Sequence, residues 1–215
     1  MGKGGNFERQ VSRQLSLWWT QDLEIPRDDI FWRNRLRRTT KTPTAEAQLG
    51  DLKADDPIGA PLTETFNIEC KDGYSKNRGS KKFKNIPWDL LEGIDYTERK
   101  GRKESYQPTI LSFWGQCLRD SKISDRLPWL IFKRDYHVPI SVIERRVYNT
   151  LEKWQGDGET SYIIYVTGKY DDLFLFRLEQ FLDWLQPDTI HHITKGYMSK
   201  SIRRKYEKST INKLQ

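Results

Sequence analysis

The chain has 215 residues, 36% of them hydrophobic, and 37 Lys and Arg residues against 30 Asp and Glu residues give a formal net charge of +7. This composition is that of a globular chain with one domain, or one domain with an appended end, and no apolar run approaches the ~18 residues that a membrane-spanning helix needs. Two cysteines imply no disulfide framework, and the N-terminus lacks the apolar core of a signal peptide, so we expect a cytoplasmic protein with no membrane partner.

The first predicted element is an amphipathic helix over residues 6–19. Phe7, Val11, Leu15 and Trp18 recur along it at the spacing of one helix face. A short strand and an arginine-rich polar loop are predicted next.

The short strand is predicted at residues 29–32, and two further strands joined by a turn are predicted between residues 50 and 72. The last of these strands covers residues 62–71 and alternates at its end between apolar and polar side chains. Glu69 and Lys71 therefore share its polar face. We expect a half-buried strand that presents an acid and a base together.

The rest of the chain favours a mixed α/β domain with a basic C-terminal tail. Residues 73–106 are polar and basic, and we predict loops around a short helix there. The later elements are predicted at residues 109–121 (helix), 128–132, 138–142, 161–168 and 173–178 (strands), and 178–185 (helix). We predict one domain over residues 1–190 and a tail over residues 191–215.

The candidate chemical groups are two acids and a lysine: Asp51, Glu69 and Lys71. Phosphodiester hydrolysis needs a divalent cation at the phosphate, and Mg²⁺ takes only one or two carboxylates from a protein. A nearby ammonium group can orient the attacking water and offset the negative charge that grows in the transition state. A strand with acid-x-Lys, joined by a second acid from a neighbouring strand, supplies these groups.

The acid-x-Lys spacing alone is common. Glu69–Lys71 differs from the other instances because it ends a strand that alternates with apolar residues. The alternative is a solvated strand face with an incidental ion pair, which contributes little to stability. The same spacing recurs at Asp51–Lys53, Glu98–Lys100 and Asp120–Lys122.

Asp51, the Glu69-Cys70-Lys71 strand end and the N-terminal sequence resemble one nuclease family. Gly4-Gly5-Asn6-Phe7-Glu8-Arg9 is similar to the start of that family's first helix, and later segments are similar to the helix and strand after its active strand. The family is the PD-(D/E)XK nuclease superfamily, in its Holliday junction resolvase-like branch. The resemblance implies a restriction-endonuclease-like mixed central sheet flanked by helices. The later similar segments are residues 113–116 and 127–133.

The activity implied by this resemblance is Mg²⁺-dependent DNA hydrolysis, with Mn²⁺ as a substitute metal. Asp51, Glu69 and the main-chain carbonyl of Cys70 would bind the metal. Lys71 would position or activate the attacking water. In-line attack would leave a 5′-phosphate.

Two further site residues and the mode of action come from the resemblance alone. Glu8 of the first helix would complete the metal site, and Gln116 is a further candidate for assisting catalysis. The resemblance also implies a preference for branched DNA and a homodimer.

The surplus of positive charge favours a polyanionic partner, because phosphate contacts release condensed counterions. We predict that this partner is DNA. The predicted nucleic-acid-binding residues are Arg33, Arg35, Arg37, Arg38, Lys41, Lys81, Lys82 and Lys84.

The sequence departs from the family at one position and leaves alternatives open. Gly50 stands where the motif has proline, so Asp55 and Asp56 are rivals to Asp51 as the first metal ligand. A restriction-type enzyme that cuts a short duplex sequence is an alternative within the same chemistry. A non-catalytic nucleic-acid-binding module on the same fold is an alternative of another class.

Overall fold

The computed structural model describes residues 3–34, 50–72, 98–99, 102–103, 109–133, 137–155, 159–168 and 170–196. Its helices are α1 (Lys3–Trp19), α2 (Ala60–Thr65), α3 (Thr109–Ser124), α4 (Arg145–Gln155), α5 (Leu178–Trp184) and α6 (187–196), with a 3₁₀ turn at Pro57–Gly59. Its strands are β1 (Phe31–Arg33), β2 (Leu52–Ala54), β3 (Phe66–Asp72), β4 (Glu98–Arg99), β5 (Arg102–Lys103), β6 (Leu127–Lys133), β7 (Ile140–Glu144), β8 (Ile163–Tyr165) and β9 (Leu173–Arg177).

A five-stranded mixed sheet lies at the centre, in the order β3-β6-β7-β9-β8. β3 and β6 run parallel, whereas the β6–β7, β7–β9 and β9–β8 pairs are antiparallel. Parallel neighbours need a crossover connection, and α3 lies in the chain between β3 and β6. The predicted α/β class, a mixed sheet flanked by helices, is confirmed.

Helices cover both faces of this sheet. α3 packs over one face, where Trp114 and Leu130 belong to one buried cluster. α1, α4 and α5 contribute to a larger cluster on the other face, which includes Leu15, Leu151 and Ile131. Neighbouring strand residues such as Leu130 and Ile131 point to opposite faces, so β6 supplies both clusters.

Most of the predicted elements are confirmed to within three residues at each end. They are α1, β1, α3, β6, β7, β8, β9 and α5.

The predicted strand over residues 62–71 is wrong in its first part. Residues 62–65 are the end of α2, which has Pro61 in its first turn, where proline has no hydrogen bond to lose. The strand itself, β3, is also more buried than predicted. Its polar face lies under α3, so that Asn67 is 1% exposed and Glu69 is 3% exposed.

Two helices besides α2 were not predicted. α4 buries Val147, Tyr148 and Leu151 on one side. α6 runs across the predicted domain boundary at residue 190 and buries Ile193, and the rest of the predicted tail, residues 197–215, lies outside the described residues. Among the helices that the structure describes, none combines the length and the apolar content that crossing a bilayer requires.

Candidate functional site

The candidate site lies at the outer edge of β3, where Asp51 runs alongside the strand. The N–H of Asp51 donates a hydrogen bond of 2.8 Å to the carbonyl of Ile68, and the N–H of Cys70 donates one of 2.7 Å to Oδ2 of Asp51. The carbonyl of Asp51 accepts a third bond, of 2.7 Å, from the N–H of Asn34 after β1. Asp51 is therefore held beside Glu69 by backbone contacts on both sides.

Gly50 sets the direction from which the chain enters this contact. Its φ is +84°, a left-handed conformation that proline, fixed near −65°, cannot adopt. A Cβ at this position would lie 3.1 Å from Oδ1 of Asn67 and 3.2 Å from the carbonyl oxygen of Ile68. Glycine at position 50, where the motif of the resembled family has proline, is therefore explained by two physical requirements, the backbone conformation and the close approach to β3.

Glu69 is held from two directions under α3. Nε2 of Gln116, on α3, donates a hydrogen bond of 2.6 Å to Oε1 of Glu69. Nζ of Lys71 forms an ion pair with the same oxygen, and the Lys71 side chain is itself largely buried. Three of the residues predicted for the site, Glu69, Lys71 and Gln116, therefore meet at one atom.

The two carboxyl groups interact electrostatically. Burial, and then the charge of Glu69, raise the pKa of Asp51 to about 7, against the lowering effects of the Cys70 N–H and Lys71. Burial also raises the pKa of Glu69, and the charge and hydrogen bond of Lys71 oppose that rise. Two acids that resist ionisation side by side are typical of a functional site, since burying them without a cation costs free energy.

Glu8 lies close to these acids but is engaged by another residue. Its charge contributes to the raised pKa of both Asp51 and Glu69. Oε2 of Glu8 forms an ion pair with Nε of Arg33, the last residue of β1. The structure thus places Glu8 next to the site with one carboxylate oxygen already paired.

The rival acids Asp55 and Asp56 lie elsewhere. Asp55 forms an exposed ion pair of 2.8 Å with Lys53. Asp56 accepts a hydrogen bond from the N–H of Ile58 and pairs with Arg27 at 2.8 Å, so it caps the 3₁₀ turn. Neither contacts β3 through a side-chain hydrogen bond, whereas Asp51 does.

Sequence reasoning missed one acid near the site, Asp120. Its charge helps to raise the pKa of Glu69. Asp120 follows Gln116 by four residues on α3, so the two side chains lie on the same side of the helix. That spacing is the signal that could have found it.

Of the predicted nucleic-acid-binding residues, Arg33 alone belongs to the part of the chain that the structure describes, and it lies at the site. Those outside the described residues are Arg35, Arg37, Arg38, Lys41, Lys81, Lys82 and Lys84.

The donor set fits a hard cation with few protein ligands. Across the described residues, no group of three or more His, Cys, Asp or Glu side chains is arranged to hold a metal ion. Mg²⁺ needs fewer, because it keeps several waters and takes one or two carboxylates. Asp51 and Glu69 each have one oxygen held by a donor, and no described residue donates a hydrogen bond to the other, Oδ1 or Oε2.

Comparisons with known proteins assign no family to this arrangement. No protein-family model, curated protein or solved structure matches the chain.

Proposed function

We propose that the protein is a Mg²⁺-dependent DNA endonuclease with Asp51, Glu69 and Lys71 at its centre. The observation that carries the proposal is the convergence of two carboxyl groups, Glu69 buried and Asp51 partly buried, both with a raised pKa, beside the Lys71 ammonium. A pair of this kind is costly in the folded protein unless a cation offsets it. The α/β fold with a mixed sheet supports the same proposal, since it agrees with the fold that the resemblance implies.

In this proposal the metal is held by Asp51, Glu69 and the main-chain carbonyl of Cys70, with water completing its shell. When bound, Mg²⁺ supplies Lewis acidity at the phosphate and lowers the pKa of a coordinated water. Mn²⁺ is expected to substitute. Asp51 and Glu69 contribute the carboxylate oxygens that accept no hydrogen bond from the described residues.

Lys71 and Gln116 orient the reacting groups, and Lys71 also offsets negative charge. Lys71 places a positive charge next to Glu69, where it can hold the attacking water by a hydrogen bond and offset charge on the phosphate. Gln116 fixes the side chain of Glu69 from α3 without adding charge. Second contacts of this kind determine the orientation of a metal ligand.

The test is cleavage by the purified full chain. Supercoiled plasmid, linear duplex and a four-way junction are incubated with Mg²⁺, with Mn²⁺ or with EDTA. We expect strand cleavage that requires the metal and leaves a 5′-phosphate, and preferential cutting of the junction would support the branched-DNA preference. Cutting at one duplex sequence would identify a restriction-type enzyme. If the protein binds these DNA molecules without a metal and cleaves none of them, the nuclease proposal is rejected in favour of a binding module.

Two further parts of the proposal concern the oligomeric state and the location of the protein. A homodimer is proposed from the resemblance, and strand β8 offers a surface for it, because Ile163 and Ile164 at the sheet edge are 52% and 44% exposed. A cytoplasmic location is proposed because Cys70 and Cys117 are both unpaired. Analytical ultracentrifugation tests the homodimer, and a sedimenting species of monomer mass would contradict it.

A further inference from the structure

The guanidinium group of Arg33 lies over the first turns of α1, next to the candidate metal centre. Its Nε is paired with Oε2 of Glu8. No described residue accepts a hydrogen bond from Nη1 or Nη2. The Arg33 side chain is 24% exposed, so it is partly sequestered and still open to a ligand.

Gly5 makes this position possible. A Cβ on Gly5 would lie 2.7 Å from Nη1 of Arg33 and 2.9 Å from Nη2, closer than real Cβ contacts. The guanidinium group therefore rests on bare helix backbone. Any larger residue at position 5 would push it away from α1.

The pairing of β1 with β2 fixes the position of Arg33 relative to Asp51. Arg33 is opposite Leu52 in the antiparallel register, and Leu52 follows Asp51 directly. The next residue, Asn34, donates its N–H to the carbonyl of Asp51 at 2.7 Å. Arg33 is thus tied to the same backbone as the proposed metal ligand Asp51, one residue away across the ladder.

These contacts give Glu8 a different role from the one that the resemblance implies. We propose that Arg33 binds a non-bridging oxygen of a nucleic-acid phosphate beside the metal centre, and that Glu8 is a positioning residue for Arg33 and not a metal ligand. The inference rests on the proposed function for the identity of the ligand as a phosphodiester. Its geometric basis, the Gly5–Arg33–Glu8 contact, is independent of cleavage.

The chemistry of the guanidinium group supports this assignment. Arginine remains charged at any pH that proteins tolerate, and its planar fork can donate two hydrogen bonds to one phosphate. A carboxylate on Nε holds the plane of the fork and leaves the Nη donors available. Arg33, paired with Glu8, and Lys71, paired with Glu69, would both offer positive charge to a phosphate bound at the site.

Four variants separate the two roles of Glu8: Glu8→Gln, Arg33→Gln, Arg33→Lys and Gly5→Ala. Mn²⁺ affinity is measured by calorimetry without DNA, and binding of a fluorescent oligonucleotide duplex is measured by anisotropy with Ca²⁺ in place of Mg²⁺. Arg27→Gln is the control, because it also removes an arginine from an ion pair with acids, at a site away from β3. Circular dichroism checks folding.

We expect Mn²⁺ affinity within about twofold of wild type for all variants, and duplex binding weaker by on the order of 10-fold for Arg33→Gln and Glu8→Gln. Gly5→Ala should weaken binding similarly although it removes no charge, because it displaces the guanidinium group. Arg33→Lys should restore binding only in part, because a single ammonium lacks the fork. Arg27→Gln should bind as wild type does.

A loss of Mn²⁺ affinity of roughly 10-fold or more in Glu8→Gln, the size expected for a ligand or its immediate support, would overturn the proposal. Wild-type duplex binding by both Arg33→Gln and Gly5→Ala would also overturn it. If wild type binds the duplex with the predicted variant pattern and cleaves neither duplex nor four-way junction, the nuclease proposal fails and the phosphate site stands. If wild type binds no duplex, the phosphate site fails, and cleavage of the four-way junction decides the nuclease proposal.

Discussion

The main-chain N–H of Cys70 donates a hydrogen bond of 2.7 Å to Oδ2 of Asp51. This bond joins an acid that precedes β2 to the strand that carries Glu69 and Lys71. The acceptor is a side-chain oxygen, so Asn can keep this contact through its amide oxygen while the charge is lost and the other oxygen becomes an NH2 donor. Asp51→Asn is therefore the least disruptive way to test the site.

Asp51→Asn and Lys71→Ala are each expected to reduce cleavage by roughly 10²-fold or more, the loss typical of a group that stabilises charge in a transition state. Duplex binding should remain measurable in both variants. Single-turnover nicking of plasmid in Mg²⁺ gives the rate, and anisotropy gives the binding. Lys71→Ala that cuts at the wild-type rate would show that its assigned role is wrong.

The raised pKa of Asp51 makes stability depend on pH. The folded pKa of about 7 lies above 3.8, the ordinary pKa of an aspartate side chain, so between these values the folded protein holds a proton that the unfolded chain releases. The free energy of unfolding therefore falls as pH rises through this window, by roughly 4 kcal/mol at most. In EDTA, Asp51→Asn should melt at a higher temperature than wild type at pH 8 and at a similar one at pH 4.

Thermal denaturation with Asp55→Asn as the control tests this expectation, because Asp55 is an exposed acid outside the site. If the melting temperature of wild type exceeds that of Asp51→Asn at pH 8 in EDTA, the ionised carboxylate of Asp51 does not destabilise the folded protein and the expectation is wrong. Added Mg²⁺ should raise the wild-type melting temperature at pH 8 and leave that of Asp51→Asn nearly unchanged.

Removal of the Gln116 amide should lower activity more than stability. Gln116→Leu deletes the 2.6 Å bond to Glu69 but leaves the Lys71 ion pair, so we expect cleavage to fall by about 10- to 100-fold. Lys122→Ala, at an exposed position of the same helix, should change neither the cleavage rate nor the stability. Equal cleavage by both variants would mean that Gln116 does not orient Glu69.

Gly50→Ala should destabilise the protein more than Gly168→Ala. Both glycines have positive φ, +84° and +64°, and alanine costs roughly 1–2 kcal/mol in that region. Gly168 has open space around it, whereas a Cβ at Gly50 meets Asn67 and the backbone of Ile68. Urea denaturation measures the difference, and equal midpoints would show that the contact with β3 is not tight.

DNA binding should weaken steeply with salt. Each phosphate contact by Lys or Arg contributes a slope of about −0.9 to the logarithm of the binding constant against the logarithm of salt concentration. Anisotropy titrations between low and physiological salt give this slope. A flat response would exclude the basic residues as the DNA-binding surface.

The main elements could be predicted because their signals are local. In α1 and α3 the apolar period is that of a helix, and in β6 a continuous apolar run predicts a strand buried on both sides. α4 was missed although Val147, Tyr148 and Leu151 follow helical spacing, because five strand residues, Ile140–Glu144, precede it without a turn signal. The burial of β3 depends on α3, which is distant in sequence.

The sequence pointed to the residues of the candidate site but not to the contacts between them. Asp51 was expected on a strand next to Glu69, whereas it precedes β2, which belongs to a separate two-stranded sheet, and it reaches β3 through hydrogen bonds with Ile68 and Cys70. The pairing of Glu8 with Arg33 joins residues 25 positions apart and needs the bare backbone of Gly5, and no periodicity encodes either requirement. Asp56 resembled a free acid in the sequence because its partner Arg27 lies in a different loop.

The Cys70 amide is also a ready spectroscopic reporter. Its proton is shielded at the rim of the sheet by a carboxylate instead of a backbone carbonyl, so its exchange with deuterium depends on the charge state and placement of a single side chain. Residue-resolved exchange at this one position would report the protonation of Asp51 and the binding of a cation to it, independently of any cleavage assay.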